Sequence, residues 1–385
     1  MTTRTQRQAM PGARAGACAY DLKLAGAALA LLGLGLVMVA SASVSMAERA
    51  LGEPFYYFGK QVVFVGVGLA AAWAAMHIPL VAWQRASVPL LVLGIALLAL
   101  VLVPGVGREV NGSTRWLPLG AVNLQASEPA KLLLVVYLAG YLVRRGEEVR
   151  CGLGGFLKPL LLLVLIAGLL LLEPDYGATV VIFATALGML FLGGVPVSRF
   201  VSWVVLASLL LGGVVVASPY RLERLTGFLD PWADPFDTGF QLTQALIAIG
   251  RGEWFGVGLG ESVQKLFYLP EAHTDFIFAV LAEELGFAGM VVVVGLYAFI
   301  AWRALAIARR AELSEQPFGA YLAYGLGLLV CLQAFINVGV NMGVLPTKGL
   351  TLPLVSYGGS SIVTNCLALG LLLRVDHEAR TRTRR

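Results

Sequence analysis

Residues 24–42 read LAGAALALLGLGLVMVASA, nineteen consecutive positions without a charged side chain. At about 1.5 Å of rise per residue, a helix of that length covers roughly 28 Å, close to the ~30 Å hydrocarbon thickness of a bilayer. Comparable runs recur near 60–78, 87–104, 125–143, 155–172, 177–193, 200–217, 274–301, 319–340 and 358–373. The fifth and sixth are divided only by the tight turn Glu173-Pro174-Asp175-Tyr176. Of 385 residues, 58% are hydrophobic and 13% charged, against about 45–50% and about 25% in soluble domains. The expected class is therefore an all-α polytopic membrane protein of about ten transmembrane helices. A cytoplasmic tail (1–23) and a basic cytoplasmic tail (374–385) flank a single transmembrane domain (24–373).

Lys and Arg accumulate in cytoplasmic loops. Assigning alternate loops to opposite sides puts 18 of them on the side of the termini and 9 on the other, with Lys131 inside a span. Both termini are thus expected in the cytoplasm. The first run follows a basic segment, as a signal peptide does, but it is long and ends in the imperfect cleavage pattern Ala40-Ser41-Ala42-Ser43; it reads as a retained anchor. Four cysteines without CxxC spacing, none in an outward loop, predict neither a disulfide framework nor a zinc site. Three histidines are too few for a His-rich cluster, which leaves a carboxylate-held ion open. GxxxxGK[ST] is absent and Gly256-Val257-Gly258-Leu259-Gly260 lacks the GxGxxG spacing, so nucleotide-driven pumping is not expected. The large extracytoplasmic loop, 218–273 between helices 7 and 8, carries the amphipathic stretch 240–249. Long loops in compact architectures are usually functional.

Charges inside spans are costly and point to sites. Glu128 and Lys131 share a helix face within Ser127-Glu128-Pro129-Ala130-Lys131, as a structural salt bridge or as a cavity border. Asp275, in His273-Thr274-Asp275-Phe276-Ile277-Phe278, opens the eighth run; a solvated helix cap is the plainer reading, a general base the other. Glu283 and Glu284 lie two turns further on, where one is expected to face the bundle and pack or pair. Two outward loops, 111–117 (NGSTRWL) and 341–361 (NMGVLPTKGLTLPLVSYGGSS), read either as ordinary interhelical turns or as an anion cradle. In a cradle, Arg115 and Lys348 supply cations and Gly-rich backbone supplies N–H groups. Serines beside Gly358-Gly359 suggest a hydrolase, but no GxSxG elbow is present.

Five separated blocks, NGSTRWLPLG (111–120), QASEPAKL (125–132), LLEPDYGAT (171–179), Gly239 to Gly289 with LPEAHTDFIFAVLAEELG, and NVGVNMGVLPTKGLTLPLVSYGGSS (337–361), resemble the SEDS family of bacterial cell-wall proteins, FtsW, RodA and SpoVE. The likeness runs from about Asp21 to Arg374, and KLFYLPEAHTDFIFAVLAEELG is closer to the division branch, FtsW, than to the elongation branch, RodA.

That resemblance implies a ten-helix fold in the bacterial inner membrane and a peptidoglycan glycosyltransferase that polymerises lipid II at the division septum. It also implies partnership with a class B penicillin-binding protein (FtsI-like) and with FtsQ, FtsB and FtsL. The aspartate of the family's HTDFIF-like motif is its catalytic residue, and Asp275 occupies that place. An inverting displacement would have Asp275 take the proton of an acceptor hydroxyl while undecaprenyl pyrophosphate leaves. Arg115 and Lys348 are candidates for the charge of the leaving group, aided by a divalent cation (Mg or Mn). Gln241, Gln244, His273, Ser356 and Ser360 are further substrate-binding candidates, and Glu128 and Lys131 candidates for cavity shape or regulation. Two rival readings are a lipid II flippase, which intramembrane Glu128 and Lys131 would suit, and a scaffold that recruits the penicillin-binding protein.

Overall fold

The computed structural model describes residues 20–110, 113–120, 122–216, 227–237, 239–266, 268–347 and 349–383. Helices α1 (Leu22–Leu51), α2 (Tyr56–His77), the short α3 (Leu80–Arg85) and α4 (Ser87–Val101) come first. A sheet follows, with β1 (Arg108–Val110), β2 (Ser113–Leu119) and β3 (Val122–Gln125) in that spatial order. It leads into α5 (Ser127–Cys151), α6 (Leu153–Leu172), α7 (Tyr176–Leu192) and α8 (Val197–Val216). The amphipathic stretch of the large loop is α9 (Phe240–Arg251), and α10 (Ile277–Leu313), α11 (Pro317–Asn341) and α12 (Gly359–Thr383) complete the bundle. Among the described residues, five helices, α1, α2, α10, α11 and α12, are long and apolar enough to cross a membrane; α4, α6, α7 and α8 contribute shorter apolar stretches.

Three helices run well past their apolar segments: α1 to Leu51, α10 to Leu313 and α12 to Thr383. Hydropathy marks where the apolar runs end, and ion pairs lie along the extensions of α10 and α12. Asp21 caps α1 through Lys23 N and Leu24 N, both at 3.2 Å, and takes Arg303 Nε of α10 at 2.8 Å. Arg310 of α10 pairs with Asp376 of α12.

The segment around Ser113, open to reading as an interhelical turn, is instead an antiparallel β-meander. Trp116 lies opposite both Arg108 and Gln125, and Leu119 opposite Val122. Gly120 takes a left-handed φ of 71° at the second hairpin, a conformation that favours glycine. The signal for the first hairpin is legible in Asn111-Gly112, which separates the paired residues Val110 and Ser113.

The eighth span is not one helix. At Gly286 (φ 66°, ψ −165°) α10 breaks, freeing the carbonyls of Glu283 and Glu284 and the N–H groups of Phe287 and Ala288. The loop after α9 takes up all four: Val257 N donates to Glu283 O (2.9 Å) and Gly258 N to Glu284 O (3.2 Å), while Glu253 O and Trp254 O accept from Phe287 N (2.8 Å) and Ala288 N (3.1 Å). Glycine is needed on both sides, since a Cβ on Gly256 would sit 2.1 Å from Glu284 O and one on Gly286 2.3 Å from Gly256 N. Both glutamates are buried and engaged rather than one. Glu283 accepts from Arg251, Ser262, Val263 N and Gln264 N. Glu284 accepts from Lys265 Nζ (2.8 Å) and from Ser41 Oγ of α1 (2.6 Å).

Between α11 and α12 the chain folds back into the bundle. Leu350, Leu352, Leu354 and Val355 are all buried. A Cβ on Gly35 of α1 would lie 2.7 Å from Leu354 O, so that glycine admits the loop. Irregular backbone at such depth is tolerated where protein covers it.

Candidate active site

Asp275 stands two residues before α10, and its side chain caps nothing: the first residue before the helix is Phe276, which makes no side-chain cap either. The cap comes from a neighbouring helix. Asn341 Oδ1 of α11 accepts from Ala279 N at 3.1 Å, while its Nδ2 donates to the main-chain oxygen of Asp275 at 3.0 Å. Asn337 Nδ2 donates to the same oxygen at 2.9 Å and to Leu350 O. Two amides thus pin the peptide and leave the carboxylate free; among the described residues it forms no hydrogen bond or ion pair. Further straps hold the segment, with Ser356 Oγ donating to Thr274 O (2.6 Å) and Tyr357 N to His273 O (2.9 Å). Burial, together with the charge of Glu271, pushes Asp275 up to about 7, against the pull of Arg115. A carboxylate near neutrality without a partner is suited to receive a proton.

Arg115, on β2, lies near enough for its charge to be felt by Asp275. Its Nε donates to Ser113 Oγ (2.7 Å), and that hydroxyl donates to Glu173 O (2.6 Å), so the arginine is fastened to the turn between α6 and α7. Beside it Glu173 is fully buried, and neither carboxyl oxygen has a hydrogen-bond partner among the described residues. Burial first, then the charge of Asp175, pushes it up to about 8, which makes it a neutral acid at pH 7. Asp175 is spent on structure: it caps α7 through Ala178 N (3.0 Å) and accepts from Ser127 Oγ (2.9 Å). Neither Glu173 nor the paired asparagines stood out in the sequence, although EPD and NVGVN lie within blocks that the family shares.

Other sequence-derived candidates fall into distinct settings. His273 is buried between the rings of Tyr57 (4.9 Å) and Tyr357 (5.5 Å), where burial holds its imidazole below the usual range. The hydroxyl of Ser356 is occupied by Thr274 O and Leu352 N, and that of Ser360 accepts from Gln125 N (2.9 Å), tying β3 to α12. Both serines act as internal fasteners because their hydroxyls meet backbone groups that helix and strand ends leave open. Gln241 and Gln244 are half-buried on α9, and Lys348 lies outside the described residues. Glu128 and Lys131 pair at 2.9 Å in the buried core, and Lys131 Nζ also donates to Gln333 Oε1 (2.7 Å). Gln333 Nε2 in turn donates to Thr351 O (3.1 Å), two residues beyond Gly349. The pair is therefore linked to the loop beside Asp275. Among the described residues no three His, Cys, Asp or Glu side chains converge as metal ligands would.

Residues 22–381 match the sequence profile of the FtsW/RodA/SpoVE family, described as Cell cycle protein. The chain belongs to that family. Among its relatives, the probable peptidoglycan glycosyltransferase FtsW of Alkalilimnicola ehrlichii is 60% identical over 340 residues, covering 88% of this chain and 84% of the relative. The protein of the same name from Nitrosococcus halophilus is 57% identical over 360 residues, covering 94% and 93%. Among solved structures of the family, a chain from work on the structural coordination of polymerization and crosslinking by a peptidoglycan synthase complex superposes with a TM-score of 0.77. It is 33% identical, with 94% of this chain and 99% of that chain covered. The rod shape determining protein RodA of Thermus thermophilus gives 0.68 at 30% identity, covering 94% and 98%. Family and fold agree: a mostly helical, polytopic membrane protein.

Proposed function

We propose that this protein is a peptidoglycan glycosyltransferase of the division type, polymerising lipid II into β-1,4 glycan on the outer face of the cytoplasmic membrane, with both termini inside. The observation that carries the site is the carboxylate of Asp275, held by its backbone, without a hydrogen-bond or ion-pair partner among the described residues and poised near neutrality. In this reading Asp275 removes the proton from the 4-hydroxyl of an acceptor N-acetylglucosamine. That oxygen forms the new bond to the anomeric carbon of the growing chain. The bond from that carbon to undecaprenyl pyrophosphate breaks, inverting an α-linked donor to a β product.

Charge gathers on the departing pyrophosphate. Arg115, fixed by Ser113 on the far side of the site, is suited to meet it, with Lys348 as a second cation. A divalent cation, Mg or Mn, would arrive with the pyrophosphate, whose oxygens supply ligands that the described side chains do not gather by themselves. A class B penicillin-binding protein would supply crosslinking, with FtsQ, FtsB and FtsL in the same septal assembly. The relative solved within a peptidoglycan synthase complex supports such a partnership.

The test is to purify the protein with its penicillin-binding protein, supply lipid II and a divalent cation, and resolve glycan strands on a gel for wild type and Asp275→Ala. Strands from the wild type alone, persisting with penicillin present, are expected. Strands from both would move the base elsewhere; strands from neither, with a control polymerase active, would return the activity to lipid transport or scaffolding.

A further inference from the structure

The break at Gly286 divides α10 into two unlike parts. Every residue of the first part except the half-buried Leu285 is buried. From Phe287 onward an outer face opens, with Phe287 48%, Val291 52% and Val292 59% exposed. No charge interrupts 287–302, and Arg303 follows. Lipid therefore meets this helix from Phe287 downward, and Gly286 marks its upper limit.

At that limit sits the loop after α9, with Trp254 69% and Phe255 84% exposed. The Trp254 ring packs edge-on against Phe287 at 5.4 Å, so the aromatic patch continues the lipid-facing side of α10 without interruption. Large exposed aromatics need an occupant. Much of the loop's backbone is also satisfied from within the protein. Four of its polar groups are consumed by the broken helix, as described above, and Gly256 N donates to Gly252 O (2.7 Å). In hydrocarbon each unsatisfied backbone group would cost several kcal/mol. Its own charge, the exposed Glu253 beside Trp254, is left to the headgroup layer, and Arg251, half-exposed, pairs with Glu283 at 3.2 Å.

We infer that residues 252–259 form a membrane foot: Trp254 and Phe255 insert into the bilayer leaflet on the Asp275 side, at the boundary between headgroups and acyl chains, where Trp is favoured. The helical segment from Ile277 to Leu285 then stands above the hydrocarbon. At about 1.5 Å per residue it raises Asp275 by roughly 13 Å along its axis. The foot thereby fixes the height of the site above the lipid. It does not depend on the reaction proposed above.

The full chain, reconstituted in liposomes, tests this through tryptophan emission. It contains seven tryptophans, so the signal of interest is wild type minus Trp254→Phe. Phospholipids brominated along the acyl chain are expected to reduce that difference signal more than twofold, with aqueous iodide leaving it nearly intact. A second variant, Phe255→Trp, should gain emission with the same quenching pattern, which covers the case in which removing Trp254 impairs folding. Quenching by iodide and not by brominated lipid overturns the inference. So does shielding from iodide that appears only when the penicillin-binding protein is added, which would make the patch a protein interface.

Discussion

Gly349 lies against Asp275 so closely that a Cβ at position 349 would stand 3.0 Å from the carboxylate oxygen Oδ2. The re-entrant loop thus forms one wall of the site with bare backbone. Gly349→Ala should leave folding and membrane insertion intact while turning the carboxylate aside. Misplacement of a catalytic group by about 1 Å can cost on the order of a hundredfold, so a loss of about tenfold or more in polymerisation is expected on the glycan gel.

The acid limb of the pH profile follows from Asp275 at about 7. A general base works as the carboxylate, so polymerisation should rise with pH through about 7 and then level off. The charge of Glu271 helps to raise this value; Glu271→Gln should move the limb to lower pH. Rate–pH curves for the two proteins, taken at saturating lipid II, check both the limb and its direction.

The same group carries a stability cost. Its folded-state value lies above the ordinary 3.8, so the folded chain holds the proton more tightly, and stability falls as pH rises from about 4 to about 7. Asp275→Asn removes the charge. It should be inactive yet melt at a higher temperature than wild type at pH 8, with the gap closing towards pH 4. A variant that melts lower throughout would show that the carboxylate is a structural contact.

Asn341 performs two tasks, capping α10 and holding the Asp275 peptide. Asn341→Ala leaves buried groups unpaired, for which about 1–3 kcal/mol is typical. A lower melting temperature should accompany a loss of activity. Asn341→Asp, which keeps the acceptor for Ala279 N, should recover more helix stability than activity.

Lys265 and Glu284 are both buried and meet at 2.8 Å. Removing one partner of such a pair typically costs about 3–5 kcal/mol, whereas replacing both by apolar groups is often tolerated. Lys265→Met should therefore destabilise the protein, and Lys265→Met combined with Glu284→Leu should recover part of the loss in thermal unfolding.

The bundle was legible because lipid imposes a coarse rule: long apolar runs become helices, and α1, α2, α10, α11 and α12 follow it most plainly. Asp275 was ambiguous from local pattern, since a carboxylate before a helix is usually a cap. Only the position of Asn341, 66 residues later, removes that reading. The break at Gly286 was hidden for a related reason. A glycine in an apolar run is common, and what makes this one a break is the loop containing Gly252 and Gly256, about thirty residues earlier. The sheet, by contrast, had its signal in Asn111-Gly112 and was masked because β1 and β3 are only three and four residues long. Lys265 and Glu173 draw their meaning from burial, which no local pattern reports.

The segments that hold Asp275 in place come late in the chain. Asn337, Asn341, Gly349 and Ser356 all follow it by 62 to 81 positions. During synthesis the aspartate leaves the ribosome well before the parts that aim it. A nascent chain, or one truncated before position 337, would carry the acid without the frame. Competence is therefore conferred only once the chain through Ser356 has been made, and a copy lacking that stretch should be inert.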